Sequence, residues 1–209
     1  MGKINRIPLK LFVVASVVTK YNSLYMAEIE ILKTAVDIDV AAQVAADHVV
    51  DRLGTEPRTR KIVLLGILKG ALPWMFKVID KLPPHYGRDS IEMAFMRLSS
   101  YEGTASTGKI KWNLCGTNIE DFDGADVVVF EDVVDTGKSL EALTTYFTEA
   151  HCNSINYVIM ADKTIDPQPS QDTHASFRFE PDDFLVGLGL DYNEKYRTLN
   201  YIGRLCATS

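Results

Sequence analysis

"VVVFEDVVDTGKSL", residues 127–140, joins an apolar run to a helix-like segment through three acids and a Thr-Gly-Lys-Ser turn. Its last letters are those that close the P-loop of nucleoside triphosphatases. That motif needs G-x-x-x-x-G-K-[ST], which puts its first glycine at residue 132. Residue 132 is Asp, so the P-loop reading fails. What remains is a buried strand, an acidic strand end, a tight turn and a helix. Backbone N–H groups of the turn and the helix N-terminus favour an anion, and the hydroxyls of Thr136 and Ser139 add donors. Glu131 and Asp132 can only accept when ionised, which suits hydroxyl groups or a hard divalent cation. The pattern therefore fits a ligand with hydroxyls at one end and a phosphate at the other, such as a ribose 5-phosphate. Asp135 stands between the two regions, placed to take a proton from a group bonded to the ribose. The bland alternative is an ordinary helix start with solvated acids.

The pattern outside this stretch is strand–helix alternation. "KIVLLGILKG" (61–70), "DVVVFED" (126–132) and "SINYVIMAD" (154–162) read as buried strands, and "SIEMAFMRL" (90–98) is strand-like. Helices are expected over 44–54, closed by Gly54, over 71–82 with Pro73 in the first turn, and over 138–150. Residues 99–111 and 163–174 read as polar loops, and 182–203 as a strand followed by an irregular acidic and aromatic segment. Such alternation predicts an α/β fold with a mostly parallel sheet and a ligand at the carboxyl ends of its strands.

Bulk composition narrows the function. The chain has 209 residues, 46% of them hydrophobic, enough for one domain with a full core. A formal charge of −6 argues against a nucleic-acid-coating surface, so any phosphate must be gripped locally. Cys115, Cys152 and Cys206 are odd in number and widely spaced, which fits reduced thiols in the cytoplasm. The four histidines show no metal-ligand spacing. The apolar run at 11–18 is too short to span a membrane and reads as a strand rather than a secretion signal.

The stretch at 127–140 resembles the phosphoribosyl-pyrophosphate (PRPP) motif of the type I phosphoribosyltransferases. Four further stretches resemble the hypoxanthine-guanine branch of that family: "GILKGALPWM" (66–75), "RLSSYEGTASTGKIK" (97–111), "MADKT" (160–164) and "DDFLVGLGLDYNEKYRTLNYIG" (182–203). They occur in family order from about residue 60 to 203. The resemblance implies the type I fold, a central sheet flanked by helices with a small hood. It implies a single domain over 1–209, its core about 40–165 and its hood made by the N-terminal segment and about 166–209.

It also implies roles. Glu131 and Asp132 would bind the ribose hydroxyls of PRPP, with Mg²⁺ bridging ribose and pyrophosphate. Asp135 would be the general base at the purine, and Thr136, Gly137, Lys138 and Ser139 would hold the 5-phosphate. Lys69, Gly70 and Arg197 would meet pyrophosphate, through a peptide at Lys69–Gly70 that is often cis in the family. Asp191 would help hold a second Mg²⁺. Ser100 and Tyr101 would belong to a catalytic lid. Lys163 would donate to the purine O6, Phe184 would stack on the base, and the backbone of Leu185 would meet its exocyclic group. Each has a plainer rival: Phe184 as core, Lys163 as a solvated charge, Arg197 as a partner of Glu194 at helical spacing.

The reaction implied is Mg²⁺-dependent conversion of hypoxanthine or guanine and PRPP to the nucleoside monophosphate and pyrophosphate. The enzyme would be cytoplasmic and a homodimer or homotetramer, with no nucleic-acid or membrane partner. A PRPP-sensing regulator on the same fold is the alternative from another class, and a sister enzyme for xanthine, adenine or orotate is a third. Residues 170–178 read "SQDTHASFR" where the family commonly has a Gly-Tyr-Lys-Pro-Asp-like stretch. Pro73 and Ser99 also depart from many members, so base preference stays open.

Overall fold

The computed structural model describes residues 28–54, 60–87, 91–99, 111–165 and 172–206. The strand expected at 11–18 and the lid pair Ser100 and Tyr101 lie outside them. The described elements are β1 (Ile29–Lys33), α1 (Ala35–Leu53), β2 (Ile62–Leu68), α2 (Leu72–Ile79), β3 (Ile91–Ser99), β4 (Lys111–Leu114), β5 (Asp126–Val134), α3 (Lys138–Glu149), β6 (Ser154–Asp162), β7 (Thr173–Arg178), β8 (Leu185–Val186) and β9 (Ile202–Leu205).

Six strands form one sheet in the order β4-β3-β2-β5-β6-β7, and β1, β9 and β8 form a second. In the large sheet every neighbouring pair is parallel except β3 with β4. The central strands β2 and β5 are apolar along nearly their whole length because both faces are covered. Trp74 of α2 and Phe147 of α3 are fully buried in the same core as Phe130 of β5. No helix of the described residues is long and apolar enough to cross a membrane.

Several expected elements change their limits. α1 begins at Ala35, nine residues before the expected start, behind a capping box in which Thr34 and Asp37 each accept the other's backbone N–H. Its outward face carries the exposed Val36, Val40 and Val44, which blur the helical apolar period. Its C-terminal end at Gly54 (φ +79°) matches the expectation, and so does Pro73 in the first turn of α2. β4 begins on the last residue of the loop expected at 99–111 and β7 on the last two of the loop expected at 163–174; the rest of each strand lies where no element was expected. Both are edge strands, each held by pairing to the strand that precedes it in the chain. The cis peptide is Leu68–Lys69, one bond before the Lys69–Gly70 bond that the resemblance suggested.

Candidate active site

The carboxyl ends of β2, β5 and β6 supply three sides of one site. β5 runs out through Glu131 and Asp132 to Val134. Asp135 and Thr136 then stand exposed in the turn, and Gly137 (φ +76°) reverses the chain into α3. A left-handed residue at that point favours glycine, which explains the Thr-Gly-Lys-Ser spelling. No side chain caps α3, and its first backbone bond within the helix is donated by Glu141 to the Gly137 carbonyl. The amides of Lys138, Ser139 and Leu140 therefore have no partner within the helix, and they stand at its positive end.

Glu131 is buried, 5% exposed, with Oε1 accepting from the Asp132 N–H and Oε2 without a partner. Burial, followed by the neighbouring Asp132 carboxylate, pushes its carboxyl well above the usual range. An orphaned buried carboxylate oxygen is costly unless a donor or cation meets it. Asp132 is oriented by its Oδ1, which accepts from the Val133 N–H at 2.9 Å. Its Oδ2 lies against the Cα of Gly70, where any Cβ would overlap it. On the neighbouring strand end, the Lys163 N–H donates to the Val134 carbonyl at 2.8 Å, which sets Lys163 beside the start of the Asp135 turn.

The fourth side comes from the segment between β8 and β9. A Cβ at Gly189 (φ +99°) would overlap the Gly70 carbonyl, so the two glycines allow this segment to touch the Lys69–Gly70 loop. Arg197 Nη1 donates to the Gly189 carbonyl at 2.6 Å, and its Nη2 pairs with Asp191 Oδ1 at 2.6 Å. Glu194 accepts from both cations, from Lys69 Nζ at 2.9 Å and from Arg197 Nη2 at 3.3 Å. The pairing of Glu194 with Arg197 was thus legible in the sequence, but it occurs across a turn rather than along a helix.

The structure brings Lys69, Gly70, Asp132, Asp191 and Arg197 together, and joins them along β5 to Glu131, Asp135 and the 136–139 turn. Lys163 adjoins through its backbone. Phe184 is no core residue. It is 50% exposed and stacks edge-on against Tyr192, with ring centroids 5.5 Å apart. Leu185 is buried in β8, and the Phe184 carbonyl accepts from the Leu205 N–H. Gly189 and Glu194 were missed as site residues. The glycine pair in "GLGLD" was the available signal for the first; nothing local announces the second. Among the described residues, no three His, Cys, Asp or Glu gather as a ready-made metal cage.

The phosphoribosyl transferase domain family matches residues 32–193. The chain is 36% identical over 184 residues to a hypoxanthine-guanine phosphoribosyltransferase of Streptococcus agalactiae, covering 87% of this chain and 91% of the relative. A hypoxanthine-guanine phosphoribosyltransferase of Streptococcus pneumoniae is also 36% identical, over 86% of this chain and 96% of its own. The crystal structure of a hypoxanthine phosphoribosyltransferase from Staphylococcus aureus superposes with a TM-score of 0.68 at 29% identity, over 90% of this chain and 95% of that one. With the parallel sheet and the acidic turn after β5, these matches identify the chain as a member of the phosphoribosyltransferase family, on its hypoxanthine-guanine branch.

Proposed function

We propose that the protein transfers the phosphoribosyl group of PRPP to hypoxanthine or guanine, giving the nucleoside monophosphate and pyrophosphate. The observation that carries this is the order of chemistries across the carboxyl ends of β2 and β5 and the segment that touches them. An uncapped helix N-terminus suits the 5-phosphate, and buried Glu131 with Asp132 suits ribose hydroxyls. Lys69 and Arg197, gathered on one carboxylate, suit a diphosphate.

In this reading Thr136, Gly137, Lys138 and Ser139 hold the 5-phosphate, while Glu131 and Asp132 accept from the ribose hydroxyls. Substitution at the anomeric carbon builds positive charge on the ribose as pyrophosphate leaves. Lys69, the Gly70 amide and Arg197 stabilise the departing anion, and Asp135 takes the purine proton as general base. Lys163 donates to the 6-oxo group, Phe184 stacks on the base and the Leu185 backbone meets its exocyclic substituent. An ammonium donates and cannot accept, so the 6-amino group of adenine would be a poor match. Ser100 and Tyr101, as part of a lid, would exclude water from the reactive ribose.

The orphaned Glu131 Oε2 and the hard carboxylate oxygens of Asp132 and Asp191 fit Mg²⁺, which prefers oxygen and keeps several waters. With no three-carboxylate cage among the described residues, most of its ligands would be substrate oxygens and water. Mg²⁺ when bound supplies charge neutralisation to the diphosphate. The reading takes β1 with β8 and β9 as a hood on a single domain, and an assembly of two or four chains in the cytoplasm.

The test is pyrophosphate release from PRPP and Mg²⁺ with hypoxanthine, guanine, xanthine and adenine in turn. Turnover with an oxopurine and none with adenine is expected. PRPP binding without turnover on any base would replace this reading with a PRPP sensor.

A further inference from the structure

Glu194 occupies an unusual position. One carboxylate spans Lys69 Nζ at 2.9 Å and Arg197 Nη2 at 3.3 Å, joining two cations that lie far apart in the chain. It does so from the second central residue of a tight turn. Tyr192 and Lys195 exchange backbone hydrogen bonds at 3.2 and 3.0 Å, with Asn193 at φ +52° and Glu194 at φ +63°. Those angles are the pattern of a type I′ turn, whose second position is usually glycine. A long acidic side chain there sits in a backbone conformation it disfavours, and such outliers gather where function holds them. The Asp191 carboxylate fixes the arrangement, with Oδ2 accepting from the Glu194 N–H at 2.8 Å and Oδ1 pairing with Arg197.

We infer that the Glu194 carboxylate is a built-in stand-in for diphosphate, which holds Lys69 and Arg197 in position in the empty site and is displaced when pyrophosphate or the diphosphate of PRPP binds. This rests on the reading of Lys69 and Arg197 as the pyrophosphate cations. The geometry suits displacement. Glu194 is 65% exposed at its side chain and has open solvent to swing into, whereas Arg197 is 24% exposed and keeps its bonds to Gly189 and Asp191 when Glu194 leaves. Arg197 Nε is buried without a partner. Glu194 already pairs with both cations and so competes with the ligand for them. A competing carboxylate weakens pyrophosphate binding and so favours release of this product.

The experiment is calorimetric titration of inorganic pyrophosphate with Mg²⁺ into the full chain, comparing wild type, Glu194→Gln, Glu194→Gly and Lys69→Ala. Both Glu194 variants are expected to bind pyrophosphate about 3- to 10-fold more tightly, the range set by two exposed ion pairs of modest worth. The KM for PRPP should fall with them without a gain in kcat, a split that a merely structural turn residue would not produce. Thermal unfolding of each variant checks that the turn still folds. Unchanged or weaker binding in both Glu194 variants, with Lys69→Ala still weakened, would overturn the stand-in role alone. Unchanged binding in Lys69→Ala would remove the pyrophosphate subsite itself and the inference with it.

Discussion

Gly70 lies so close to Asp132 that a methyl group at position 70 would overlap Asp132 Oδ2. Asp132 cannot yield freely, because its other oxygen is held by the Val133 N–H. The contact therefore couples the loop after β2 to the acid at the end of β5. Gly70→Ala should break it in one of two ways, by turning the Asp132 carboxylate or by shifting the Lys69–Gly70 loop. Either should weaken PRPP binding by about 10-fold or more, the worth of one hydrogen bond to a charged group. Overpacking of this kind costs about 1–3 kcal/mol of stability. Calorimetry with PRPP and a melting curve read the two effects, and unaltered PRPP affinity would mean the contact is dispensable.

Asp135 stands exposed just past β5, beside the backbone-anchored Lys163. Asp135→Asn keeps the shape and removes the base. It should lower kcat by roughly 10²–10⁴ with PRPP affinity largely retained. Steady-state kinetics beside a PRPP titration give both numbers; normal turnover would exclude Asp135 as the base.

Lys163→Met should act on the purine and spare PRPP. Loss of a charged hydrogen bond to the 6-oxo group should raise KM for hypoxanthine and guanine by about 10- to 100-fold. Equal losses in purine and PRPP affinity would show instead that Lys163 supports the strand ends as a whole.

Glu131→Gln should separate stability from function. Burial, then Asp132, disfavours the Glu131 carboxylate in the fold. A group whose folded pKa is raised contributes stability at low pH that is lost as pH rises through that value. The variant should therefore melt higher than wild type at neutral pH, the difference closing below about pH 4, where the free carboxyl is protonated too. PRPP binding should weaken at the same time.

A second pH effect lies away from the site, where α1 packs on β7. His48 and His174 face each other with ring centroids 5.3 Å apart, and His48 Nε2 is buried without a partner. Burial lowers both pKa values; Arg52 adds to the effect on His48, and His48 to that on His174. A base with a depressed pKa stays neutral in the fold and charges more readily when unfolded. Stability is then complete above about pH 6.5 and is lost as pH falls below it. His174→Gln should flatten the decline in Tm between about pH 6.5 and 5, and an unchanged slope would assign the decline to other groups.

What the sequence disclosed follows from distance along the chain. Strand, acids, turn and helix over 126–149 are contiguous, so local chemistry was enough to find them. The early start of α1 was hidden by outward-facing Val36, Val40 and Val44, although Thr34 and Asp37 spell its cap. β4 and β7 exist because β3 and β6 offer them an edge, which no local pattern records. The bond between Lys69 and Glu194 spans 125 residues and was beyond any spacing rule, whereas Arg197 and Glu194 sit near enough for one.

β1 pairs in antiparallel register with β9, from Ile29 against Leu205 to Lys33 against Ile202. This has a consequence for biosynthesis. Ile29–Lys33 is made well before residues 202–205 and must wait for its pairing partner until they follow. The α/β layers can pack while translation continues, but the small sheet closes only after residues 202–205 emerge. A chain that stops between residues 150 and 202 would carry the acidic turn after β5 and still lack the strand that anchors the segment bearing Arg197.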